Sequence, residues 1–340
     1  MSAATAGGGM LRVVSTALIV LVVAATALAV DMAHLLSRPV GLDEPVQLIV
    51  PPGSSFHQVV ARLYDAGVLS VPRASQYLTA YAWWRGDAAR VKSGEFRIDP
   101  AASPAQILAM LVAGRTVRHQ ITLIEGWTFD SLRAALAGND AIRHTLADAD
   151  DEAVMAAIGA AGQSPEGRFL PETYYFPRGT TDVALLRRAH HAMSRTLEAQ
   201  WAARAPELPL DGPYQALILA SIVEKETAVP DERMRVAGVF IRRLRSGMRL
   251  QSDPTVIYGL DDFHGNLTRA DLRRDGPYNT YTRTGLPPTP IAMPGAAAIH
   301  AALHPADGEA LYFVARGDGT HAFSATYAEH KKAVNRYQLQ

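Results

Sequence analysis

Apolar residues are spaced in three different ways along this chain. Val13 to Val30, VVSTALIVLVVAATALAV, is an unbroken uncharged run of 18 residues. That is at the short end of what one membrane-crossing helix needs, and no second run of that length follows. From residue 46 the spacing shortens. Val46–Val50 reads as a strand stopped by Pro51-Pro52-Gly53. Phe56, Val59, Val60 and Leu63 then recur at helical spacing behind Ser54 or Ser55 as a cap. A second helix is expected after Pro72, through Tyr77, Leu78, Tyr81 and Trp84, and Ser93 to Ile98 reads as a returning strand. Ser103-Pro104 opens a helix with Ile107, Leu108 and Leu111 inward, ended by Gly114. Beyond residue 116 the helical period dominates. Val117 to Ile124 is a strand candidate, 131–160 is mainly helical, and the Pro-, acid- and aromatic-rich 165–177 reads as an ordered loop. Thr181-Asp182 caps a helix to about Arg204, and further helices are expected over Gln215 to Pro230 and from Pro230 onward. In the latter Val236, Val239, Phe240 and Leu244 face inward, and Arg233 and Arg243 fall near the apolar arc, within reach of a cleft or an acid beside it. Near the end, Leu311 to Val314 and His321 to Phe323 form a hairpin about Gly317 to Thr320, followed by a helix carrying His330 and Tyr337.

The expected fold class is therefore α+β: an N-terminal transmembrane helix, a small α+β subdomain, and a mainly helical larger domain with short β elements. The expected boundaries are a cytoplasmic tail at 1–12, the span at 13–30, a linker at 31–45, the subdomain at 46–115 and the larger domain at 116–340. The strand-helix-helix-strand order of 46–98 resembles a LysM-like carbohydrate-binding unit; a packing subdomain without ligand is the alternative. Trp83 and Trp84 suit either stacking on sugar rings or the core. His190 and His191, adjacent on one helix, read as surface residues.

Composition narrows the chemistry. Lys plus Arg equal Asp plus Glu at 33 each, and there is no basic run to suggest nucleic acid. Cysteine is absent, which excludes disulfides, thiolate nucleophiles and a lipidated cysteine anchor. Arg12 precedes the apolar run while Asp31, His34 and Arg38 follow it, which favours an N-terminus in the cytoplasm. Ala27-Leu28-Ala29 also fits a signal-peptidase site, but the run exceeds the usual ~7–15-residue signal core, so a retained anchor is expected. Either way the remainder is exported. His300 and His304 are four apart but lack a third partner nearby, so no metal and no cofactor is expected.

The candidate chemistry lies in QALILASIVEKETAVP, Gln215 to Pro230. At about 100° per residue, Ile218, Leu219, Ile222 and Val223 form one arc and Glu226 falls within it, while Glu224 points elsewhere. An acid in apolar surroundings loses hydration and stays protonated to higher pH, as a general acid must. The alternative is a salt-bridged residue in a helix's last turn.

Four ordered motifs then carry a resemblance: Ala220 to Thr227, Leu250 to Gly259, Tyr278-Asn279-Thr280-Tyr281, and Gly285-Leu286-Pro287-Pro288. With the Gly167 to Tyr174 loop and the Tyr312-Phe313-Val314 strand, the chain resembles the YceG-like family of endolytic murein transglycosylases over nearly its whole length. The resemblance implies that the second Glu of the Glu-Lys-Glu triplet, Glu226, is catalytic. It implies cleavage of the β-1,4 bond between N-acetylmuramic acid and N-acetylglucosamine within glycan strands, leaving 1,6-anhydro ends and limiting nascent strand length. Peptidoglycan strands are the implied partner, with one helix in the inner membrane, the catalytic domain in the periplasm, and peptidoglycan synthases as candidate protein partners. Gln251, Asp253, Thr255, Tyr258, Tyr278, Asn279 and Tyr281 are expected to line the cleft and bind sugar, or to serve the structure; Asp253 before proline also suits a turn cap. Glu172 is expected to hold substrate or an arginine. Glu224 is expected to support Glu226 or to pair with Arg233. Two other readings compete: a non-enzymatic peptidoglycan-binding scaffold, and a hydrolytic muramidase using Glu226 with Asp253.

Overall fold

The computed structural model describes residues 6–338, with side chains from residue 12. The first five residues of the expected cytoplasmic tail lie outside the described residues. The chain divides into two compact units, one formed by residues 1–119 with 177–179, the other by 120–176 and 180–340.

In the first unit, helix α1 (Ala6–Ser37) carries the apolar run, whose side chains from Val13 to Val30 are exposed. It is long and apolar enough to cross a membrane. It also continues through seven residues expected to be linker, because its last turns dock. Leu36 is buried, Met32 packs beside it, and Asp31 accepts a hydrogen bond from the Tyr77 hydroxyl at 2.9 Å. Strand β1 (Val46–Val50), helices α2 (Phe56–Asp65) and α3 (Pro72–Trp84), strand β2 (Gly94–Ile98) and helix α4 (Pro104–Ala113) follow the expected order. Ser55 and Ser103 each form a reciprocal cap with a glutamine three residues on, which is why both helices start where they do. β1 and β2 are antiparallel, Val46 opposite Ile98, so Leu48, Val50, Phe96 and Ile98 face Val59, Leu63, Leu78 and Leu108 in one core. Trp83 and Trp84 do not belong to that core: they are 71% and 81% exposed. Buried Glu95 accepts 2.7 Å bonds from His119 and from Arg178, in the short 177–179 return of the chain.

The second unit contains strand β3 (Arg118–Thr122, its first residues belonging to the other unit), helix α5 (Phe129–Ala137), strand β4 (Ile142–Arg143) and helix α6 (Asp151–Ile158). Strands β5 (Thr173–Pro177) and β6 (Thr180–Thr181) follow. The stretch read as an ordered loop at 165–177 thus ends in a strand, β5, which pairs with β3. Helix α7 (Asp182–Ala202), capped by Thr181, leads to α8 (Pro213–Glu226). His190 on α7 is half-buried, its ring 6.1 Å from Phe169, which corrects the surface reading; His191 is exposed. After a 3-10 turn come α9 (Arg233–Arg245), α10 (Asp253–Tyr258), α11 (Ala296–Leu303), strands β7 (Tyr312–Ala315) and β8 (His321–Ser324), and α12 (Tyr327–Tyr337).

α8 is the axis of this unit. Pro213 starts it without wasting an amide, and every residue from Ala216 to Val223 is buried. The helix is therefore apolar all round. Its neighbours are α7, α9 and α11, and the alanines 298, 301 and 302 of α11 allow close approach. Extended backbone at Thr227 and then Pro230 end it, leaving Glu226 as the last helical residue.

Candidate active site in a groove around Glu226

Glu226 opens into a groove of about 480 Å³. α9 contributes Arg243, the turn before α10 contributes Gln251, the first residue of α10 is Asp253, and the following loop contributes Tyr281. The opposite wall is the β7–β8 hairpin with Tyr312 and His321, and α12 with Tyr327 and His330. The side chain of Glu226 is half-buried, and its Oε1 accepts a hydrogen bond from the Ser252 hydroxyl at 2.5 Å.

Burial is the largest influence on its ionisation and pushes Glu226 up to about 7; Ser252 and Arg243 pull it down, and Asp253 pushes it up. The C-terminal end of α8 also disfavours negative charge. The result is a carboxyl that is substantially protonated near neutral pH and can still ionise.

Ser252 is placed by strained backbone. Gln251 has φ +49, a left-handed conformation uncommon outside glycine, while its N–H donates to the Thr280 carbonyl at 3.1 Å. The Ser252 N–H donates to Thr280 Oγ1 at 3.0 Å. Thr255 Oγ1 bonds Thr280 Oγ1 at 2.8 Å and donates to the Ser252 carbonyl at 2.7 Å. The Leu250 to Gly259 and Tyr278 to Tyr281 motifs are therefore one hydrogen-bonded unit that aims a serine at the acid.

The expected substrate-binding residues separate into groups. Gln251, Asp253 and Tyr281 line the groove with Glu226, and Tyr281 donates to Asp253 at 2.5 Å. Thr255 is fully buried and cannot touch a sugar. Asn279 is also buried; its amide holds the carbonyls of Asp271, Leu272 and Arg274, so both residues shape loops rather than bind. Tyr258 and Tyr278 line a different hollow of about 340 Å³. Tyr258 donates to Glu166 at 3.1 Å and Tyr278 bonds Thr289 at 2.8 Å. Glu172 is exposed and its carbonyl pairs with the Leu123 N–H.

Glu224 is enclosed, not directed to solvent. Its carboxylate takes the Gly295 N–H at 2.9 Å and faces Arg233 at 3.8 Å, which also faces Glu125 at 3.8 Å. Burial raises its pKa against these partners. The two arginines flagged on α9 thus divide the two expected roles: Arg233 pairs an acid, and Arg243 reaches the groove.

Tyr312, Tyr327, His321 and His330 line the groove without having been expected there, and buried Ser252 bonds the acid from behind. Ser252 and Tyr312 lie in segments that carry the resemblance and were recoverable. The others lie on β8 and α12, whose approach to α8 leaves no local signal. Glu166 was also missed. Burial pushes it to about 7, while the Phe129 N–H, the Tyr258 hydroxyl and the Gly167 N–H favour its charged form; it caps α5 away from the groove. Among the described residues no cluster of His, Cys, Asp or Glu is suited to a metal ion.

The mixed helix-and-sheet unit thus presents one half-buried carboxyl to a groove lined by polar and aromatic side chains. The sequence model of the YceG-like family matches residues 48–336, and the chain belongs to that family. An endolytic murein transglycosylase of Bacillus subtilis (strain 168) is 29% identical over 309 residues, covering 86% of this chain and 84% of that protein. The endolytic murein transglycosylase of Streptococcus pneumoniae serotype 2 is 27% identical over 300 residues, which cover 78% of this chain and 53% of the longer pneumococcal protein. A crystal structure of a yceG-like protein from Listeria monocytogenes superposes with a TM-score of 0.54 at 30% identity, covering 85% of this chain and 99% of that one.

Proposed function

We propose that this chain is an endolytic lytic transglycosylase that cuts the β-1,4 bond between N-acetylmuramic acid and N-acetylglucosamine inside peptidoglycan strands. The observation that carries it is Glu226: one half-buried carboxyl, near neutral in pKa, at the wall of an open groove. Its relatives' names support the substrate. Glu226 gives its proton to the glycosidic oxygen as the C1–O bond breaks. The resulting carboxylate takes the proton of the muramic C6 hydroxyl, whose oxygen bonds C1 and closes a 1,6-anhydro ring. Glu226 ends as it began, and no water is consumed. One carboxyl suffices because the nucleophile belongs to the substrate, and intramolecular attack gains from proximity. Gln251, Asp253 and Tyr281, which share the groove with Glu226, bind the sugars flanking the bond in this reading.

The length and exposed apolar surface of α1 suit a membrane span; in this reading it is a retained anchor, with the N-terminus in the cytoplasm and the chain after α1 in the periplasm. Release of nascent strands at that membrane, beside the synthases that extend them, is the cellular role this arrangement suits. The two-stranded sheet with α2 and α3 between its strands supports the LysM-like assignment of 46–115.

Substituting Glu226→Gln keeps the shape and removes the proton. On isolated murein it is expected to lower release of anhydro-ended fragments by at least about 100-fold, in line with the loss of a general acid. An unchanged rate would remove the assignment. Asp253 in the same groove keeps a hydrolytic muramidase in view; mass spectrometry decides, since a hydrolytic product is heavier by one water.

A further inference from the structure

Arg243 is a charged side chain with no visible reason to be where it is. It is 6% exposed, yet among the described residues no carboxylate lies at ion-pairing distance from it. Its Nε donates to the Leu311 carbonyl at 2.7 Å and its Nη1 to the Leu250 carbonyl at 2.5 Å. The Tyr312 ring lies 5.4 Å from its guanidinium carbon. Two backbone oxygens thus fix a cation in the wall that holds Glu226. The two carbonyls and the Tyr312 ring hold the guanidinium in place without neutralising it, so its full charge is available to an anion that forms beside it.

The other groups facing Glu226 do not supply a cation. His321 on β8 is committed to Glu232, through Nδ1 at 2.7 Å and its own N–H at 3.0 Å. His330 on α12 has a buried, unpartnered Nδ1, and burial favours its neutral form. Asp253 at the start of α10 is an acid that accepts from Tyr281; Tyr312 and Tyr327 are phenols. Arg243 is therefore the permanent cation among the groove's described lining residues.

We propose that Arg243 is a positioning residue whose counter-charge is the Glu226 carboxylate itself, present only between the two proton transfers of turnover. This rests on the reaction proposed above. At rest Glu226 is protonated, and Arg243 stands off, held by the Leu250 and Leu311 carbonyls. When Glu226 gives its proton to the leaving oxygen, a carboxylate is left in a poorly hydrated wall, and the guanidinium stabilises it. When the C6 hydroxyl returns a proton, the pair dissolves. A contact ion pair at rest would keep the acid ionised and unable to start. No cation would make its proton too hard to give. The standing distance answers both needs, and the carbonyl anchors maintain it. Leu250 lies two residues before Ser252, so the loop that aims the serine also holds the arginine.

The test is a ¹³C-carboxyl NMR titration of the full chain in detergent, with the Glu226 resonance assigned by its loss in Glu226→Gln. In Arg243→Met the midpoint is expected to rise by about one unit, the size of one charge acting over several ångströms at a protein surface. The alkaline limb of the activity profile should move with it, and kcat should fall about tenfold or more with KM little changed. Arg243→Lys, which keeps the charge, should hold the midpoint near the parent's and recover part of kcat. Arg243→Gln keeps an N–H for the Leu250 carbonyl, and gives the same reading should the methionine variant not fold. A folded neutral variant with an unmoved midpoint would overturn the proposal and leave Arg243 a structural clamp. Because the titration needs no turnover, it reads the electrostatic link even if the parent releases no anhydro ends, an outcome that would instead remove the proposed reaction.

Discussion

The ionisation of Glu226 is set by what surrounds it. Glu226 is held at about 7 by burial, against a donated hydrogen bond from Ser252. Hydrogen bonds to charged groups contribute about 1.5–3 kcal/mol, roughly one to two pH units. Ser252→Ala removes a donor that favours the charged form, so the Glu226 midpoint should rise. A general acid must start protonated, and activity is lost as pH climbs through that midpoint. The alkaline limb of kcat/KM should therefore move upward by about one unit, while the rate below it falls because the proton is harder to release. A limb that moved downward would mean that Ser252 acts otherwise. The same reasoning shows why Glu224, two residues away on the same helix, is not an equivalent acid. Its pKa is also raised, but its carboxylate is committed to Gly295 and Arg233.

α8 illustrates how far periodicity leads. The arc argument placed Glu226 among apolar residues and Glu224 elsewhere, and both carboxyls do diverge. The reason is different from the one the period supplies, because α8 is buried on every side from Ala216 to Val223 and has no polar face to discriminate. Position decides instead: Glu226 is the last helical residue, at the mouth of the groove. α9 makes its own contribution through Gly238. A Cβ there would lie 2.5 Å from the Ala306 carbonyl, on a segment further tied to α9 by the Ala306 N–H to the Met234 carbonyl at 2.8 Å. Alanine is a better helix former than glycine by about 1 kcal/mol, so propensity alone predicts stabilisation. The clash with fixed backbone should win. Gly238→Ala is expected to destabilise by about 1–3 kcal/mol in denaturant unfolding, the usual size of overpacking. It should also weaken the Arg243 anchor at Leu311, which that segment carries. Gain of stability would show that the 304–311 chain yields freely.

At the level of the full chain, the open question is which side of a membrane each part occupies. α1 exposes its apolar residues from Val13 to Val30 and is docked by its last turns through Leu36 and Asp31. In spheroplasts with the inner membrane intact, external protease is expected to digest the chain beyond α1 and leave the residues before Val13 protected. Digestion that requires detergent would reverse the orientation. Much of this organisation was legible beforehand because its causes are local. Caps at Ser55, Ser103 and Thr181, prolines at helix starts, and the uncharged run before Asp31 act on neighbours within one or two turns. The docking of 31–37, the exposure of Trp83 and Trp84 and the half-burial of His190 were not legible, because each depends on what another element covers.

The same division runs through the active groove. Glu226 and the motif around Ser252 can be read from the chain, since a helix end and a tight turn are written in adjacent residues. The gathering of Tyr312, His321 and His330 around that acid, and which of Arg233 and Arg243 joins them, could be decided only by the packed structure. Burial and electrostatic coupling depend on distance in space, and a linear order carries no distance between segments a hundred residues apart.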